Sequence, residues 1–421
     1  MPSPSPAPAT DVDVLILGGG LAGLTLAMQL RLQQPDRSVA VLERRPHPVR
    51  EAAHKVGEST VEIGAHYFAE VLGLRRHLET AQVRKYGLRY FFSDGMAQVH
   101  ACSEMGVSRL LPTPSWQLDR GRFENHLGER ALALGADFRH GAVVRGIELA
   151  DDGGAHAVAF EHEGAQHVLR ARWVVDAAGR AGLLKRKLGL AEANDHDANA
   201  AWWRVDGHID VDAWTGEGNW PDRFQPAERW KSTNHLCGPG YWFWLIPLAS
   251  DSHSLGIVCD AKMHPLETMN THAKAMDWLR RHQPRAARAL EDPRHKVQDF
   301  LFLRHFSHGC RQVFSGRRWA LMHELRGAPE PTLADQLARL SPCDIVLVEG
   351  FKHEPIPKLE VFRPSLGHPA LHPQDPCIVA VASDESLPIA LPVLGLNHHA
   401  AIADFILGYL DDHDQTSLAA I

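Results

Sequence analysis

Residues 12–23 read VDVLILGGGLAG, an apolar run that ends in glycines and leads into a helical pattern over residues 21–32. A second apolar run covers residues 39–42 and ends at Glu43. Two short apolar runs separated by a helical pattern are typical of a βαβ unit with parallel strands. The stretch therefore predicts an α/β fold whose ordered part begins at Asp11.

Three of these glycines, Gly18, Gly20 and Gly23, form a GxGxxG motif between the predicted strand and helix. The first makes the tight turn, the second lets the backbone approach a pyrophosphate, and the third allows the helix to pack on the strand. Glu43 lies 20 residues beyond Gly23, where a carboxylate can accept hydrogen bonds from ribose hydroxyls. The motif predicts dinucleotide binding, and the alternative is a glycine turn in an α/β fold without a nucleotide.

Composition excludes several other classes of protein. The length of 421 residues allows two or three domains, and the net charge of -7 gives no electrostatic case for a nucleic-acid partner. No apolar run approaches the roughly 20 residues that cross a bilayer, so no membrane association is expected. The six cysteines include no CxxC pair, which favours reduced thiols and a cytoplasmic location.

Two further segments resemble the flavoprotein monooxygenase superfamily. Residues 119–123 read DRGRF, and residues 175–180 read VDAAGR. The resemblance implies that Arg120 reaches an FAD cofactor and that Asp176 lies near its pyrophosphate. For Arg120 the alternative is a solvated arginine at the start of a helix. Together the segments favour FAD over NAD.

Three more motifs are similar to those of the flavin-dependent halogenases. Residues 242–247 read WFWLIP and fit the WxWxIP pattern of that family, residues 55–60 read KVGEST and resemble its loop beside the flavin, and residues 85–87 read KYG and match the segment with its essential lysine. The resemblance covers about residues 11–319. It implies a Rossmann-like FAD-binding domain with an antiparallel β-sheet layer. The site residues that it adds are the flavin loop Gly57, Glu58 and Ser59, the separating residues Trp242, Trp244 and Pro247, and the catalytic Lys85.

The resemblance also implies a chemistry. A separate flavin reductase supplies reduced flavin, dioxygen oxidises a halide to hypohalous acid, and the tryptophans keep an electron-rich aromatic substrate away from the flavin. Lys85 captures or holds the oxidised halogen, and burial would help to keep its amine neutral. Tryptophans in an apolar strand are also ordinary core residues, and a lone lysine is commonly a solvated charge. A hydroxylase on the same fold remains an alternative.

The halogenase-like pattern stops near Trp319. The family continues from this strand into a glycine-acid-alanine turn that contacts FAD, whereas residues 322–327 read MHELRG. Residues 344–354 read DIVLVEGFKHE and resemble the C-terminal half of MobB, a P-loop GTP-binding adaptor of molybdopterin-guanine dinucleotide biosynthesis. The resemblance implies that Glu349 lies near a magnesium ion. The string GxxxxGK[ST] that holds phosphates occurs nowhere in the chain, so we expect neither GTP nor magnesium to bind.

These patterns predict a fusion with three parts: a disordered tail at residues 1–10, an FAD-binding halogenase-like domain at 11–318, and a MobB-like segment at 319–421. The last part is expected to be a partial P-loop-type α/β segment without its Walker A, with buried strands at 344–348 and 378–381. A single helix is expected at 271–290. Because each half lacks strands that its core would pack against, uncovered apolar surface favours aggregation or a homo-oligomer.

Two hypotheses of another functional class stay open: the chain is a molybdenum-cofactor adaptor, or it is an inactive fusion. The histidines suggest no metal site, because His305, His308 and Cys310 lack a fourth ligand and regular spacing.

Overall fold

The computed structural model describes residues 11–50, 56–107, 110–150, 154–192, 197–217, 220–224, 227–305, 309–310, 312–315, 318–321, 332–338, 345–348 and 353–413. The chain forms two compact units. The described residues of the first unit lie between 11 and 321, and those of the second lie between 332 and 413.

The first unit is built mainly from β-strands with a few helices between them. Its strands are β1 (Val12–Leu17), β2 (Val39–Glu43), β3 (Val83–Arg84), β4 (Leu88–Phe92), β5 (Ser103–Gly106), β6 (Trp116–Gln117), β7 (Asp137–His140), β8 (Val143–Glu148), β9 (His156–His162), β10 (Ala165–Asp176), β11 (Ala191–Glu192), β12 (Ala198–Asp206), β13 (Thr233–Gly238), β14 (Tyr241–Leu248), β15 (Ser252–Asp260), β16 (Val297–Leu303), β17 (Gly309–Cys310), β18 (Gln312–Ser315) and β19 (Arg318–Leu321). Its α-helices are α1 (Leu21–Gln33), α2 (Glu62–His66), α3 (Arg75–Ala81), α4 (Arg120–Ala133), α5 (Leu183–Lys187), α6 (His272–His282) and α7 (Pro284–Leu290).

The first sheet has six strands in the order β7-β2-β1-β10-β9-β8. The four strands β7, β2, β1 and β10 run parallel to one another. Strand β9 pairs antiparallel with β10, and β8 pairs antiparallel with β9. Alternate residues of the central strands enter different cores: Ile16 and Val41 pack with α1 and α4, and Leu15 and Leu17 pack with Phe160. Burial on both faces explains why these strands read as continuous apolar runs. The predicted βαβ unit is confirmed.

The second sheet has seven strands in the order β16-β12-β15-β14-β13-β4-β5. All neighbours are antiparallel except β13 and β4, which run parallel. Since side chains on a strand alternate between two faces, Phe243 and Leu245 enter the largest core while Trp244 and Ile246 face the other side. The antiparallel layer that the sequence predicts in addition to the parallel strands is therefore present.

The single helix expected at residues 271–290 is two helices, α6 and α7. The break lies at Gln283, whose φ of -137° and ψ of 65° are not helical. Pro284 follows as the first residue of α7. Proline lacks the N–H that a continuous helix needs and disfavours helical geometry in the residue before it, so one apolar periodicity became two helices.

The second unit contains α8 (Leu333–Leu337), β20 (Lys358–Phe362), β21 (Ile378–Ser383), β22 (Val393–Gly395) and α9 (His399–His413). Its three strands are parallel, with β21 between β20 and β22. The expected strand at 378–381 is therefore present, extended to Ser383.

The expected buried strand at 344–348 is wrong for its described residues. Residues 345–348 belong to no strand, and the side chains of Ile345, Val346 and Leu347 are 40%, 41% and 77% exposed. An apolar run becomes a buried strand only where another strand pairs with it and a second layer covers it. Within the part of the second unit that the structure describes, no strand pairs with this run.

Candidate active site

The glycine-rich loop lies at the carboxyl end of β1, where the backbone leaves no room for side chains. Gly18 has a φ of +116°, and a Cβ there would lie 2.4 Å from the carbonyl oxygen of Ala177. A Cβ on Gly23 would lie 1.9 Å from the carbonyl oxygen of Gly18, whereas a Cβ on Gly20 would meet open space. Two glycines are thus needed for packing, and the third faces an open side.

Two carboxylates flank this loop at the ends of the neighbouring strands. Glu43 accepts a hydrogen bond through Oε2 from the backbone N–H of Gly19 at 2.7 Å. Asp176 lies opposite Leu17 in the sheet and accepts from the N–H groups of Ala178 and Leu184 at 3.1 and 2.8 Å. Parallel pairing brings Gly18, Glu43 and Asp176, which the sequence marks by three separate motifs, to the same end of the strands. Their contacts with a cofactor stay a prediction.

Two arginine side chains hold the loop that contains Gly57, Glu58 and Ser59. Arg120 donates through Nη1 to the carbonyl oxygens of Val56 and Gly57 at 2.8 and 3.3 Å. The buried Glu58 accepts from Nη2 of Arg204 at 2.6 Å. Burial raises the pKa of the Glu58 carboxyl, and Arg204 opposes that shift. The described bonds of Arg120 and Glu58 brace the loop, and the cofactor contacts that the sequence predicts for both residues stay predictions.

Ser59 and the start of α4 extend the same support. The Ser59 and Thr233 hydroxyls lie 2.7 Å apart, which ties the loop to β13. Arg120 also donates to Oε1 of Glu124 at 2.5 Å, one turn along α4. Burial lowers the pKa of the Arg120 guanidinium, and its Nε is buried without a hydrogen-bond partner.

A cavity of about 420 Å³, here called the tryptophan cavity, opens beside this loop. Its wall includes the three indole rings of Trp202, Trp242 and Trp244. Trp242 and Trp244 share a face because they are two residues apart on β14. The Trp244 ring lies against Gly256, where a Cβ would approach it to 2.2 Å. The small residue on β15 therefore makes room for the ring.

Pro247 does not join these tryptophans. It follows Ile246, which lines the tryptophan cavity, and the alternation of β14 directs it to the opposite face. It is buried opposite His253 of β15. Of the three residues predicted to separate flavin from substrate, the structure brings together Trp242 and Trp244 and leaves Pro247 outside.

Lys85 lies between the tryptophan cavity and a second cavity of about 330 Å³, here called the Glu62 cavity. The lining residues that the two cavities share are Val61, Lys85 and Leu88. Lys85 is only 4% exposed, and its Nζ donates to the carbonyl oxygen of Thr60 at 2.7 Å. Lys85 is thus part of the wall of both cavities, and its amine is buried.

The surroundings of Lys85 favour its neutral form. Burial lowers the pKa of the amine to about 8, and the opposing influence is the carboxylate of Glu62. His235 lines the tryptophan cavity, and burial together with Lys85 lowers the pKa of its imidazole to about 4. An amine with this pKa is partly neutral near pH 8, which an exposed lysine is not.

Several lining residues were missed by the sequence reasoning, among them Trp202, His235 and Glu62. Trp202 had a usable signal, because it alternates on β12 with Trp203, which enters the largest core. His235 and Glu62 had none. His235 reaches the site through the pairing of β13 with β4. Its ring stacks on that of Tyr90, with 5.1 Å between the ring centroids.

The geometry fits the diphosphate end of FAD. The N-terminus of α1 has no side-chain cap and no acidic residue in its first turn, so its N–H groups can receive an anion beside the open face of Gly20. The tryptophan cavity, which Gly57 also lines, offers aromatic walls for a flat ring system. Both features belong to the same unit.

Other predicted features fall outside these residues. Glu349 of the MobB-like segment lies outside the described part of the chain. Among the residues that the structure describes, no group of three or more histidine, cysteine, aspartate or glutamate side chains could hold a metal ion. No described helix is long and apolar enough to cross a membrane.

Comparison with known proteins gives two family matches. Residues 11–287 match the family model described as "FAD binding domain", and residues 303–384 match "Molybdopterin guanine dinucleotide synthesis protein B". The first match covers well over half of the chain. The two resemblances predicted from sequence motifs are confirmed, and so is the joining of two families in one chain.

Individual relatives agree with this division. The chain is 26% identical to the flavin-dependent halogenase chlA of Dictyostelium discoideum, over 75% of this chain and 56% of that protein. It is 40% identical to the molybdopterin-guanine dinucleotide biosynthesis adapter protein of Escherichia coli, over 23% of this chain and 58% of that protein. The chain thus spans little more than half the length of each relative.

The fold also matches solved structures. The crystal structure of halogenase PltM has a TM-score of 0.60 at 20% identity, with 72% of this chain and 62% of that chain covered. At this identity the likeness concerns the fold, and it confirms the predicted α/β architecture with its second sheet.

Proposed function

Since residues 11–287 make this chain a member of the FAD binding domain family, we propose that it is a flavin-dependent halogenase acting on an electron-rich aromatic compound. The observation that carries the proposal is the buried amine of Lys85 at the partition between two cavities, one of them walled by tryptophans. A hydroxylase needs no such amine, because it passes oxygen directly to a substrate beside the flavin.

The residues predicted for FAD would hold it. Gly18, Gly20 and Gly23 with the α1 N-terminus would bind the diphosphate, and Glu43 would accept from the ribose. Gly57, Glu58 and Ser59, in the loop that Arg120 keeps in place, would lie beside the ring. Bound in its reduced form, FAD would supply two of the four electrons that reduce dioxygen, and the halide would supply the other two as it is oxidised to hypohalous acid.

Lys85 then controls where the oxidised halogen goes. Its neutral Nζ attacks the halogen of hypohalous acid, an N–halogen bond forms, the halogen–oxygen bond breaks, and the departing hydroxide leaves as water with the proton of the amine. A ring carbon of the substrate in the Glu62 cavity attacks the halogen, the N–halogen bond breaks, and the ring loses a proton while Nζ regains one. Trp202, Trp242 and Trp244 keep the substrate in the Glu62 cavity, away from the flavin.

The partner that reduces FAD is a separate reductase in this proposal. A second glycine-rich fingerprint for a nicotinamide nucleotide does not occur in the sequence. We infer that a free NAD(P)H-dependent flavin reductase is needed in every activity assay.

The proposed function predicts a halide-dependent product. The purified chain with FAD should be yellow, and with a flavin reductase, NADH and O2 it should convert a panel of phenols, indoles and pyrroles only when chloride or bromide is present. Mass spectrometry distinguishes a halogenated product from an oxygenated one. Oxygenation that persists without halide would support the hydroxylase, and a chain that stays colourless with added FAD would support an inactive fusion.

The lowered pKa of Lys85 predicts how the rate depends on pH. The neutral amine is the reactive form, so arene halogenation should rise with pH and level off above about 8, the pKa of Lys85. Below that pH the neutral fraction falls tenfold for each pH unit. Hypohalous acid formation, followed with a β-diketone trap, should not share this profile. A halogenation rate that is flat from pH 6 to 9 would contradict the role of the neutral amine.

A second candidate is a MobB-like adaptor role, because residues 303–384 match that family. This role would lie in contacts with partner proteins, since the sequence has no Walker A motif for GTP. Expression of the chain in a strain without its own adaptor, followed by assay of a molybdoenzyme, tests it. We expect no rescue of molybdoenzyme activity, because the GTP-binding Walker A motif is absent from the sequence.

A further inference from the structure

The Glu62 cavity is lined mostly by apolar side chains. They are Val61, Leu88, Met105, Val107 and Leu111, with the ring of Tyr90 beside them. A volume of about 330 Å³ lies at the lower end of the range for small-molecule sites. It suits a single aromatic ring with small substituents. The partly exposed Met105 adds a flexible wall that adapts to ring shape.

Glu62 and Lys85 are the ionisable groups of opposite charge among the described residues that line this cavity. Glu62 begins the short helix α2 and is half-buried. Its described hydrogen bond is a long one of 3.5 Å from the Ser115 hydroxyl. Because an ionised carboxylate has about four lone-pair sites, Glu62 retains the capacity to accept a hydrogen bond from a ligand.

The position of Glu62 relative to Lys85 matters for the reaction. Both line the same cavity, and the carboxylate is the charge that acts on the amine. A ring hydroxyl that donates a hydrogen bond to Glu62 would have a polarised O–H bond, which raises electron density at the ring carbons beside and opposite it. Those carbons are the ones that attack an electrophilic halogen on the amine.

We propose that Glu62 selects the substrate by accepting a hydrogen bond from a hydroxyl or amino group on a single aromatic ring, and that it excludes rings that carry a carboxylate. The inference rests on the proposed halogenase function and names its substrate class. A carboxylate on the ring would face the Glu62 carboxylate in the same small cavity, and like charges at short range repel.

Ligand titration of the full chain tests this choice without turnover. With oxidised FAD added and no reductase, binding of resorcinol, 1,3-dimethoxybenzene and 3,5-dihydroxybenzoate is measured by calorimetry at pH 8.5. Resorcinol should bind at least tenfold more tightly than the other two, which lack a donor or add a negative charge. In Glu62→Gln we expect resorcinol to bind about tenfold more weakly and 3,5-dihydroxybenzoate to bind more tightly.

Glu79→Gln is the matched control, because Glu79 is an exposed glutamate on α3 whose described partner is Arg75. It should leave all three affinities unchanged, and thermal unfolding checks that both variants fold. An unchanged preference in Glu62→Gln, or no binding of any ring by the unaltered chain, overturns the inference. The β-diketone assay of hypohalous acid tests the proposed function separately from the role of Glu62. If hypohalous acid is never formed, the halogenase proposal fails. The titration decides the role of Glu62 in either case.

Discussion

Replacing Lys85 with methionine should lower kcat/KM for arene halogenation at least a hundredfold, while FAD affinity stays within a factor of two. Methionine is similar in length and apolar, so it fills the partition between the two cavities but has no amine to accept the halogen. Positioned proton-transfer and nucleophilic groups typically contribute about 10²–10⁴ in rate. Product formation is measured by chromatography, and FAD affinity by quenching of flavin fluorescence.

Two further variants complete this experiment. Lys85→Arg keeps a cation at the partition but has no neutral form near pH 8, so it should be as inactive as Lys85→Met. Lys274→Met alters an exposed lysine on α6 and should have full activity. Hypohalous acid should still form in both Lys85 variants. Retention of more than a tenth of the halogenation rate in Lys85→Met would rule out the amine as the halogen carrier.

Gly23→Ala should abolish FAD binding and lower the free energy of unfolding by about 3 kcal/mol, the upper end of typical overpacking costs. The new methyl would lie 1.9 Å from the carbonyl oxygen of Gly18. A backbone atom cannot rotate away, so α1 must shift and the loop loses its shape. Urea unfolding followed by circular dichroism measures the first effect, and flavin fluorescence measures the second.

Two other glycines separate cofactor binding from stability. Gly20→Ala adds a methyl that meets open space, so the protein without FAD should keep its stability while FAD affinity falls at least tenfold, because the methyl blocks the approach of the diphosphate. Gly64 lies in α2, and a Cβ there also meets nothing within 4 Å. Gly64→Ala should therefore change neither the stability nor the FAD affinity. Normal FAD affinity in Gly20→Ala would contradict the assignment of the diphosphate to this loop.

Much of the nucleotide-binding part was predictable because its determinants are local. The strand, the glycine turn and the helix of residues 12–33 adjoin one another in sequence, and parallel pairing of β2 and β10 with β1 then places Glu43 and Asp176 at the same edge. The spacing of Trp242 and Trp244 similarly fixes a shared strand face. Pro247 failed to join them for the same reason, since it is an odd number of residues away.

Other site features depend on residues that are distant in sequence. Arg204 pairs with Glu58 across 146 positions, and Arg120 reaches the loop at Gly57 across 63. No local pattern indicates such partners. The sequence motifs therefore marked Glu58 and Arg120 as important, but their bracing role depends on how β12 and α4 pack around the loop.

The sequence by itself determined the FAD binding domain family, the likeness of residues 303–384 to MobB, the nucleotide loop and the aromatic face of β14. Each of these features is encoded by short-range spacing. Only the tertiary structure decided that Lys85 lies between two cavities with Glu62 on one side, and that the apolar run at 345–348 is exposed. Burial and the pKa of an amine depend on the elements that fold over it. Those elements come from distant parts of the chain, so a local pattern cannot specify them.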